Sequence, residues 1–393
     1  MTGSSPTQRS APHPPRLTLV IPTYNERDNI PELLSQLGQV LEAAEAEIIF
    51  VDDSTDDTPT VIEAARSDCP VPITVVHRDD ASGGLGGAVV EGLKRAQGAW
   101  VVVMDADLQH PTATIADLVA TGEQTGADLV VATRYAGGGD RSGLSSGYRK
   151  AVSGGSTLLA KTLFRRALAG VSDPMSGFFA VRAASIETDR LQPLGYKILL
   201  ELIVRTRPQR VAEVPYTFAP RHAGESKSSL REGLRYLRHL ATLRLGRTRA
   251  RMLGYGLIGL SGMLPNLVSL WLLTHLLGVH YVPAAIAANQ VAIAWNFALT
   301  NMLLFRSGPR RHSLRSRLTR FALLNNTDLL VRIPLLGVLV AVLHVNVLLG
   351  NALTLAVMFL VRFVVIDRAI FVPAPAETPQ PSRRHREHHP MDT

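Results

Sequence analysis

Between Arg251 and Arg306 this chain contains no Asp, Glu, Lys or Arg. A membrane-crossing helix needs about 20 mostly apolar residues, so the uncharged interval holds two spans joined by a short turn near Gly278 to Pro283. A second apolar region, Phe321 to Ile366, is long enough for two more. The sequence therefore predicts a transmembrane domain over 252–370, all α, with spans near 253–276, 284–305, 320–342 and 347–367. Basic residues set its orientation. Six Arg lie from Arg306 to Arg320 and seven from Arg231 to Arg251, while the two remaining loops carry none; basic loops stay on the cytoplasmic side. Both termini and the middle loop are expected in the cytoplasm, in a multi-pass protein of the cell membrane.

The formal charge of +8 is concentrated beside these spans. Anionic lipid headgroups account for it, and no nucleic-acid partner is needed. The stretch 231–251, with Leu230, Leu234, Leu237 and Ala241 on one face and Arg between them, reads as an amphipathic basic helix at the membrane interface, or else as a plain connector. Asp328 and Arg332 fall inside the third span, four residues apart on one helical face. They read either as an ion pair shielded from lipid or as a contact to a lipid phosphate or a neighbouring helix.

The ends carry less information. Residues 1–15 lack an apolar run, so no signal peptide is expected there, and their Ser, Pro and Thr predict a disordered lead. The tail 371–393 reads as solvated and disordered, although its Arg-Arg-His-Arg-Glu-His-His has metal-binding residue types. Cys69 is the single cysteine, which excludes an internal disulfide and suits a cytoplasmic location. Of 41 basic residues 36 are Arg, a usage that points to a GC-rich, bacterial genome.

Residues 16–230 have a different pattern. Leu17 to Ile21, Ile48 to Val51, Ile73 to Val76, Trp100 to Met104 and Leu129 to Ala132 are short apolar runs of strand type, and helical periodicity begins near Asp28, Thr58, Gly86 and Thr112. Alternation of this kind predicts an α/β domain with a mostly parallel sheet. Ligands of such sheets bind beyond the carboxyl ends of the strands. Three of those ends carry chemistry. The first strand runs into Pro22-Thr23-Tyr24-Asn25-Glu26, the second into Asp52-Asp53-Ser54, and the fourth into Asp105-Ala106-Asp107-Leu108-Gln109-His110.

Asp105, Asp107 and Gln109 alternate, so in extended backbone their oxygens project to one side. Hard oxygens of this kind suit Mg²⁺ or Mn²⁺, which keep open positions for substrate phosphates. The crevice fits a nucleotide, with an acidic group for base or ribose and a metal for a diphosphate. Two lookalikes fail. Gly84-Leu-Gly-Gly-Ala88 opens a helix but matches the dinucleotide fingerprint poorly and follows the third strand, so a tight turn is expected. Asp52 to Glu63 resembles a calcium loop, yet Asp57 stands at its glycine position and a strand precedes it.

Taken together, Val20-Ile-Pro-Thr-Tyr-Asn-Glu26, Val51-Asp-Asp-Ser54, Asp105-Ala-Asp-Leu-Gln-His110, Thr133-Arg-Tyr135, Asp173-Pro-Met-Ser-Gly-Phe-Phe179, Gly195-Tyr-Lys-Ile-Leu-Leu-Glu201 and Arg221-His-Ala-Gly-Glu-Ser-Lys227 resemble the polyprenol-phosphate (dolichol-phosphate) mannose synthases, family 2 glycosyltransferases of the GT-A fold. The likeness runs in order through nearly all of the first half. The four-span region is similar to the membrane domain of some members and to small GtrA-like membrane proteins.

The resemblance implies an inverting mannosyl transfer from GDP-mannose to a polyprenyl monophosphate. It implies that Asp105, Asp107 and Gln109 surround Mg²⁺ or Mn²⁺, and that Pro22, Tyr24, Glu26, Val51, Asp53 and Ala106 line the nucleotide. It further implies that Arg134, Arg149, Arg221 and Lys227 face phosphates of donor or acceptor; each of these four is otherwise an ordinary surface ion-pair residue. A mobile loop over the donor is expected between Tyr135 and Tyr148, where glycine and serine are dense. His110 is expected to brace the acidic loop or to be structural, because an ionised phosphate acceptor needs no general base. Three other readings stay open: a sister enzyme using UDP-glucose or another UDP-sugar, a lipid-sugar translocator, and a nucleotide-sensing regulator. Polyprenol length, preferred metal and oligomeric state are not encoded legibly.

Overall fold

The computed structural model describes residues 14–135, 147–193, 197–219, 230–305 and 311–371, with the side chains of 147–153, 230–232, 329, 333 and 347 outside that set. It divides into two units, Met1–Arg247 and Thr248–Thr393.

The first unit is built on seven strands: β1 (Leu17–Thr23), β2 (Ala46–Asp52), β3 (Ile73–His77), β4 (Trp100–Val103), β5 (Leu129–Thr133), β6 (Phe179–Arg182) and β7 (Val211–Pro215). Their order across the sheet is β3-β2-β1-β4-β6-β5-β7. Pairing is parallel except for β6, which runs antiparallel between β4 and β5. All seven residues of β1 are buried, as expected of a central strand covered on both faces. Leu17, Leu19 and Ile21 enter the core on one face and Val20 the core on the other, the period-two alternation of a pleated strand.

Helices cover both faces. In α1 (Ile30–Val40), Ile30, Leu33, Leu34 and Leu37 form the buried stripe, the i, i+3, i+4, i+7 spacing of an amphipathic helix. After α2 (Thr58–Ala65), α3 (Gly84–Arg95) begins behind Gly83 and Gly84, both at positive φ, so the glycine-rich segment is a turn, as expected. The contact of α3 with β1 is close: a Cβ at Gly92 would lie 2.3 Å from Val20 Cγ1. The helices α4 (Thr114–Thr125), α5 (Gly147–Leu163) and α6 (Ile198–Thr206) complete the layers.

One expected helix is divided. Where the sequence suggests a continuous segment over 231–251, α7 (Leu230–Leu245) stops at Gly246, whose φ of 83° favours glycine, and α8 (Arg247–Ser261) starts beyond it. Tyr236, His239 and Leu240 of α7 pack into the first unit, while Leu234 and Leu237 are exposed. A buried polar network pins that packing. Glu201 of α6 takes His239 Nε2 at 3.1 Å and the Gln192 N–H at 2.5 Å as hydrogen-bond partners, and Arg205 Nε stands 2.8 Å away as an ion pair. Burial works against the Glu201 charge, but His239, the Gln192 N–H and Arg205 outweigh it and lower the pKa below the ordinary value.

The second unit contains α8, α9 (Met263–Trp271), α10 (Tyr281–Leu299), α11 (Leu314–Ala341) and α12 (Val347–Val365). Four stretches, Arg247–Leu276, Tyr281–Leu304, Leu314–Ala341 and Leu348–Ile370, are long and apolar enough to cross a membrane. Large side chains such as Leu264, Leu276, Leu330 and Leu348 lie on their exposed faces, where a bilayer would supply the apolar surroundings. Inside, Phe297, Phe305, Phe321 and Phe371 form one ring cluster. Gln290 and Asn326 exchange hydrogen bonds of 2.9 and 3.2 Å between α10 and α11.

Because the Gly92–Val20 approach leaves no room for a methyl group, Gly92→Ala is expected to destabilise the first unit by about 1–3 kcal/mol through overpacking. Chemical denaturation of the variant beside the unmodified chain checks it.

Candidate active site

Parallel strands end on one edge, so the segments that follow β1, β2 and β4 meet there. The register places Thr23 opposite Asp52 and Val20 opposite Val103. Being antiparallel, β6 contributes its beginning to the same edge, with Val103 opposite Phe179. Two residues further along that register, Asp105 lies against Gly177: a Cβ there would sit 2.7 Å from Asp105 Oδ2. Only a residue without a side chain leaves that carboxylate its space.

The two adjacent acids after β2 have separate surroundings. Asp52 is fully buried and holds the edge together, accepting from Thr23 Oγ1 at 2.7 Å, Ser54 Oγ at 2.6 Å and the Ser54 N–H at 3.2 Å, with His77 Nδ1 2.8 Å away. Asp53, the expected nucleotide-lining acid, is bound on both oxygens by Arg78, at 2.7 Å from Nε and 2.5 Å from Nη2. Arg78 also donates to the carbonyls of Ser82 and Gly84, both at 3.2 Å. It thereby ties the β3–α3 turn to the site.

At the end of β1, Asn25 adopts a left-handed φ of 57°, a conformation its short amide side chain tolerates. Its N–H donates to Ser54 Oγ at 2.8 Å, and its Oδ1 accepts from the Thr55 N–H at 2.9 Å. Glu26 is fixed through its N–H to Thr58 Oγ1 and by Asn29 Nδ2 on its carboxylate. Pro22 and Val51 are buried in the strands, whereas Tyr24 is 52% exposed.

The acidic loop is rigidly built. Leu108 is held at a φ of 60°, an uncommon conformation for a side-chain-bearing residue. The Gln109 N–H donates to Asp107 Oδ1 at 3.2 Å, and Gln109 Nε2 donates to the Ala219 carbonyl at 3.0 Å. The Ala219 N–H returns a bond to Gln109 O. Ala106 is buried beneath. His110 accepts the Asp105 N–H on Nδ1 at 3.2 Å and stacks on Phe178, with ring centroids 5.0 Å apart. Burial pushes its pKa down to about 4, against the opposing charge of Asp107, so the ring is neutral at pH 7. It braces the loop.

Arg134 follows β5 and is engaged by Asp173 on two bonds, Nε to Oδ2 at 2.8 Å and Nη2 to Oδ1 at 3.2 Å. Its guanidinium lies over the Phe218 ring at 5.2 Å. Burial opposes the charge, yet the Asp173 bonds and charge prevail and raise the pKa above the ordinary arginine value. Burial also pushes the Tyr216 phenol up. Arg149 lies in the first turn of α5 with its side chain outside the described residues, and Arg221 and Lys227 are outside them altogether, as are residues 136–146 of the expected donor loop.

Among the described residues no three His, Cys, Asp or Glu side chains converge on a closed metal cage. Asp105 and Asp107 fit the alternative, an open site in which one or two carboxylates hold Mg²⁺ or Mn²⁺ and substrate phosphates complete the shell. Arg78, Asp173, Tyr216 and Gly177 join the site without having been singled out as site residues by sequence. Asp173 and Gly177 stand in a quoted motif; Arg78 has no sequence signal beyond following a strand.

The family model "Glycosyl transferase family 2" matches residues 18–189, and "GtrA/DPMS, transmembrane domain" matches residues 254–371. A dolichol-phosphate mannosyltransferase of Pyrococcus furiosus is 34% identical over 351 residues, covering 89% of this chain and 97% of that relative. The protein of the same description from Saccharomyces cerevisiae is 35% identical over 237 residues, 58% of this chain and 86% of the relative. Among solved structures, glucosyl-3-phosphoglycerate synthase from Mycobacterium tuberculosis, in complex with Mn²⁺, uridine diphosphate and glucosyl-3-phosphoglycerate, is similar at 25% identity and a TM-score of 0.43, over 58% of this chain and 78% of that one. With both halves matched and a relative covered almost end to end, the chain belongs to the dolichol-phosphate (polyprenol-phosphate) mannose synthase family, as a family 2 glycosyltransferase of GT-A type joined to a GtrA/DPMS membrane domain.

Proposed function

We propose that this glycosyltransferase moves mannose from GDP-mannose to a polyprenyl monophosphate at the cytoplasmic face of the cell membrane, with inversion, releasing GDP. The observation that carries the reading is the acidic step Asp105–Asp107, set at the common strand edge against Gly177 in a chain that covers 97% of a dolichol-phosphate mannosyltransferase.

Pro22, Tyr24, Glu26, Val51 and Asp53 line the nucleotide, with Asp53 held in one orientation by Arg78. Ala106 lets the chain pass close to the donor. Asp105, Asp107 and Gln109 would hold Mg²⁺ or Mn²⁺, whose charge offsets that of the departing diphosphate. Arg134, kept in place by Asp173, presents a delocalised cation toward phosphate oxygens. Arg149, Arg221 and Lys227 add further cations to donor or acceptor.

The acceptor is its own nucleophile. A phosphate monoester ionises a second time near pH ~6, so its oxygen attacks the anomeric carbon at neutral pH without a protein base. The new carbon–oxygen bond forms as the bond to the diphosphate breaks, and the leaving electron pair stays on the diphosphate. In-line geometry turns an α-linked donor into a β-linked lipid phosphosugar. The protein's part is position and electrostatics. With the acceptor headgroup in the membrane surface and the donor in the cytosol, attachment to the spans keeps the enzyme at the plane where both are present.

Radiolabelled GDP-mannose, UDP-glucose and UDP-GlcNAc, each offered with polyprenyl phosphate, test the assignment. Labelled lipid is expected from GDP-mannose alone, abolished by EDTA and restored by Mn²⁺, with Asp107→Ala slower by about 10²-fold or more. Transfer from a UDP-sugar instead would make the chain a sister synthase. Silence with every donor would overturn the reading.

The neutral His110 gives a second prediction. kcat/KM should rise through the acceptor's ionisation near pH ~6 and then stay level; an inflection lost in His110→Gln would assign proton transfer to that ring. Its folded pKa of about 4 lies below the ordinary 6.5, so the unfolded chain takes up the proton first. Denaturation between those two values should show stability falling as pH falls, less steeply in His110→Gln.

A further inference from the structure

Charged side chains inside the spans are few. From 252 to 305 there is none, and from Phe321 to Ile366 there are three: Asp328, Arg332 and Arg362. One carboxylate thus faces two guanidinium groups in a region where each unmatched charge is costly. Asp367, at the end of the last span, is already engaged by Arg251 at 2.6 Å.

The three charges share one seam. On α11 the residues Phe321, Asn325, Asp328, Arg332, Leu336 and Leu339 recur at helical spacing. Asn325 and Asp328 meet Arg362 of α12, and a Cβ at Gly350 of α12 would lie 3.2 Å from Leu336 and 3.8 Å from Leu339. The helices therefore run antiparallel with that stripe toward α12, and Arg332 lies on it between the two contact levels. It is half-buried, and among the described residues it makes no ion pair or hydrogen bond. Met358 and Thr354 are the α12 residues of the intervening turns.

Of the alternatives open for Asp328, the contact to a neighbouring helix is the one present. Arg362 Nε stands 3.6 Å from Asp328 Oδ1, beyond hydrogen-bond reach, and its other contacts, to Asn325 Oδ1 and the Met358 carbonyl, are both 3.4 Å. Asp328 Oδ1 is buried with no hydrogen-bond donor among the described residues. The seam thus combines surplus positive charge, loosely held guanidinium donors and one unsatisfied buried acceptor. A phosphate monoester carrying one proton is complementary to all three: its oxygens accept from arginine and its P–OH donates to a carboxylate. A phosphodiester has no P–OH.

We propose that Arg332, Arg362 and Asp328 form a second phosphate site in the membrane half, which binds the monoester headgroup of a polyprenyl phosphate within the α11–α12 seam. The class of lipid rests on the function proposed above; the site itself rests on the charges of the seam. It would retain an acceptor lipid in the protein irrespective of turnover in the first unit.

The test uses the full chain in nanodiscs of neutral phosphatidylcholine and a polyprenyl phosphate bearing a photoreactive diazirine beside its phosphate. Label is expected on peptides containing residues 325–340. It should fall by about tenfold in Arg332→Gln and stay within about threefold in Arg332→Lys, which keeps the charge. Labelling of peptides from the first unit serves as the control for intact folding. Excess unlabelled polyprenyl phosphate should suppress the seam label, while phosphatidylglycerol and polyprenol should not. Equal labelling of Arg332→Gln would overturn the site. Equal competition by phosphatidylglycerol or by polyprenol would overturn recognition of a monoester. Arginine-dependent labelling in a protein that transfers no mannose would refute the donor chemistry and support this site.

Discussion

The antiparallel strand β6, inserted between β4 and β5, is the arrangement on which the catalytic half depends. Because it runs against its neighbours, its first residues reach the edge where the parallel strands end. That single reversal sets Gly177 against Asp105, stacks Phe178 on His110 and brings Asp173, a few residues earlier, to Arg134. A wholly parallel sheet would deliver the opposite end of this strand, and the acidic loop would lack its wall. Cost is concentrated at the same place. Asp173 is fully buried and Arg134 mostly so, and removal of either partner from such a pair typically costs about 3–5 kcal/mol because the other charge is stranded.

Charge is divided with equal economy at the β2 end. Two neighbouring aspartates have alternate pleat directions, so one turns toward Thr23, Ser54 and His77 and the other toward Arg78. Asp52 collects hydroxyl, amide and imidazole partners and holds β1, β2 and β3 in register. Asp53, bound bidentately by Arg78, keeps lone pairs oriented rather than rotating.

Much of this was legible in the residues. The apolar runs that became β1 to β5, the spans, and the acidic ends of β1, β2 and β4 all follow from periodicity and charge, which are local properties. What escaped was non-local. The strand β6 is four residues long and β7 has the partly exposed pattern of an edge strand, so neither gives a strong pattern of its own. Arg78 reaches Asp53 across twenty-five positions, and nothing in the spacing announces it. The break at Gly246 follows from a single φ that only the folded backbone reveals. Asp328 and Arg332 show the limit most clearly: i, i+4 spacing allows a pair within α11 or a contact to a neighbouring helix without choosing between them, and the cation nearer to Asp328 comes from α12. Helical spacing states who can meet on one helix and is silent about neighbours.

That same pair bears on how the two halves divide their labour. A guanidinium in hydrocarbon is tolerated when a counter-charge, water or a snorkelling path relieves it. Arg332 lies on a packed stripe with Leu336 and Leu339 following it, and the single carboxylate of the seam is nearer to Arg362. A seam meant only to hold two helices together would balance its charges or omit them, since apolar packing achieves the same end at lower cost. An excess cation next to an unsatisfied carboxylate oxygen is instead the complement of an ionised group that still carries a proton. Among the groups the proposed reaction involves, the acceptor lipid's monoester has that character in its singly ionised form. Its product, a phosphodiester, does not, so a seam with this chemistry would favour the substrate over the product and release what the catalytic half has made.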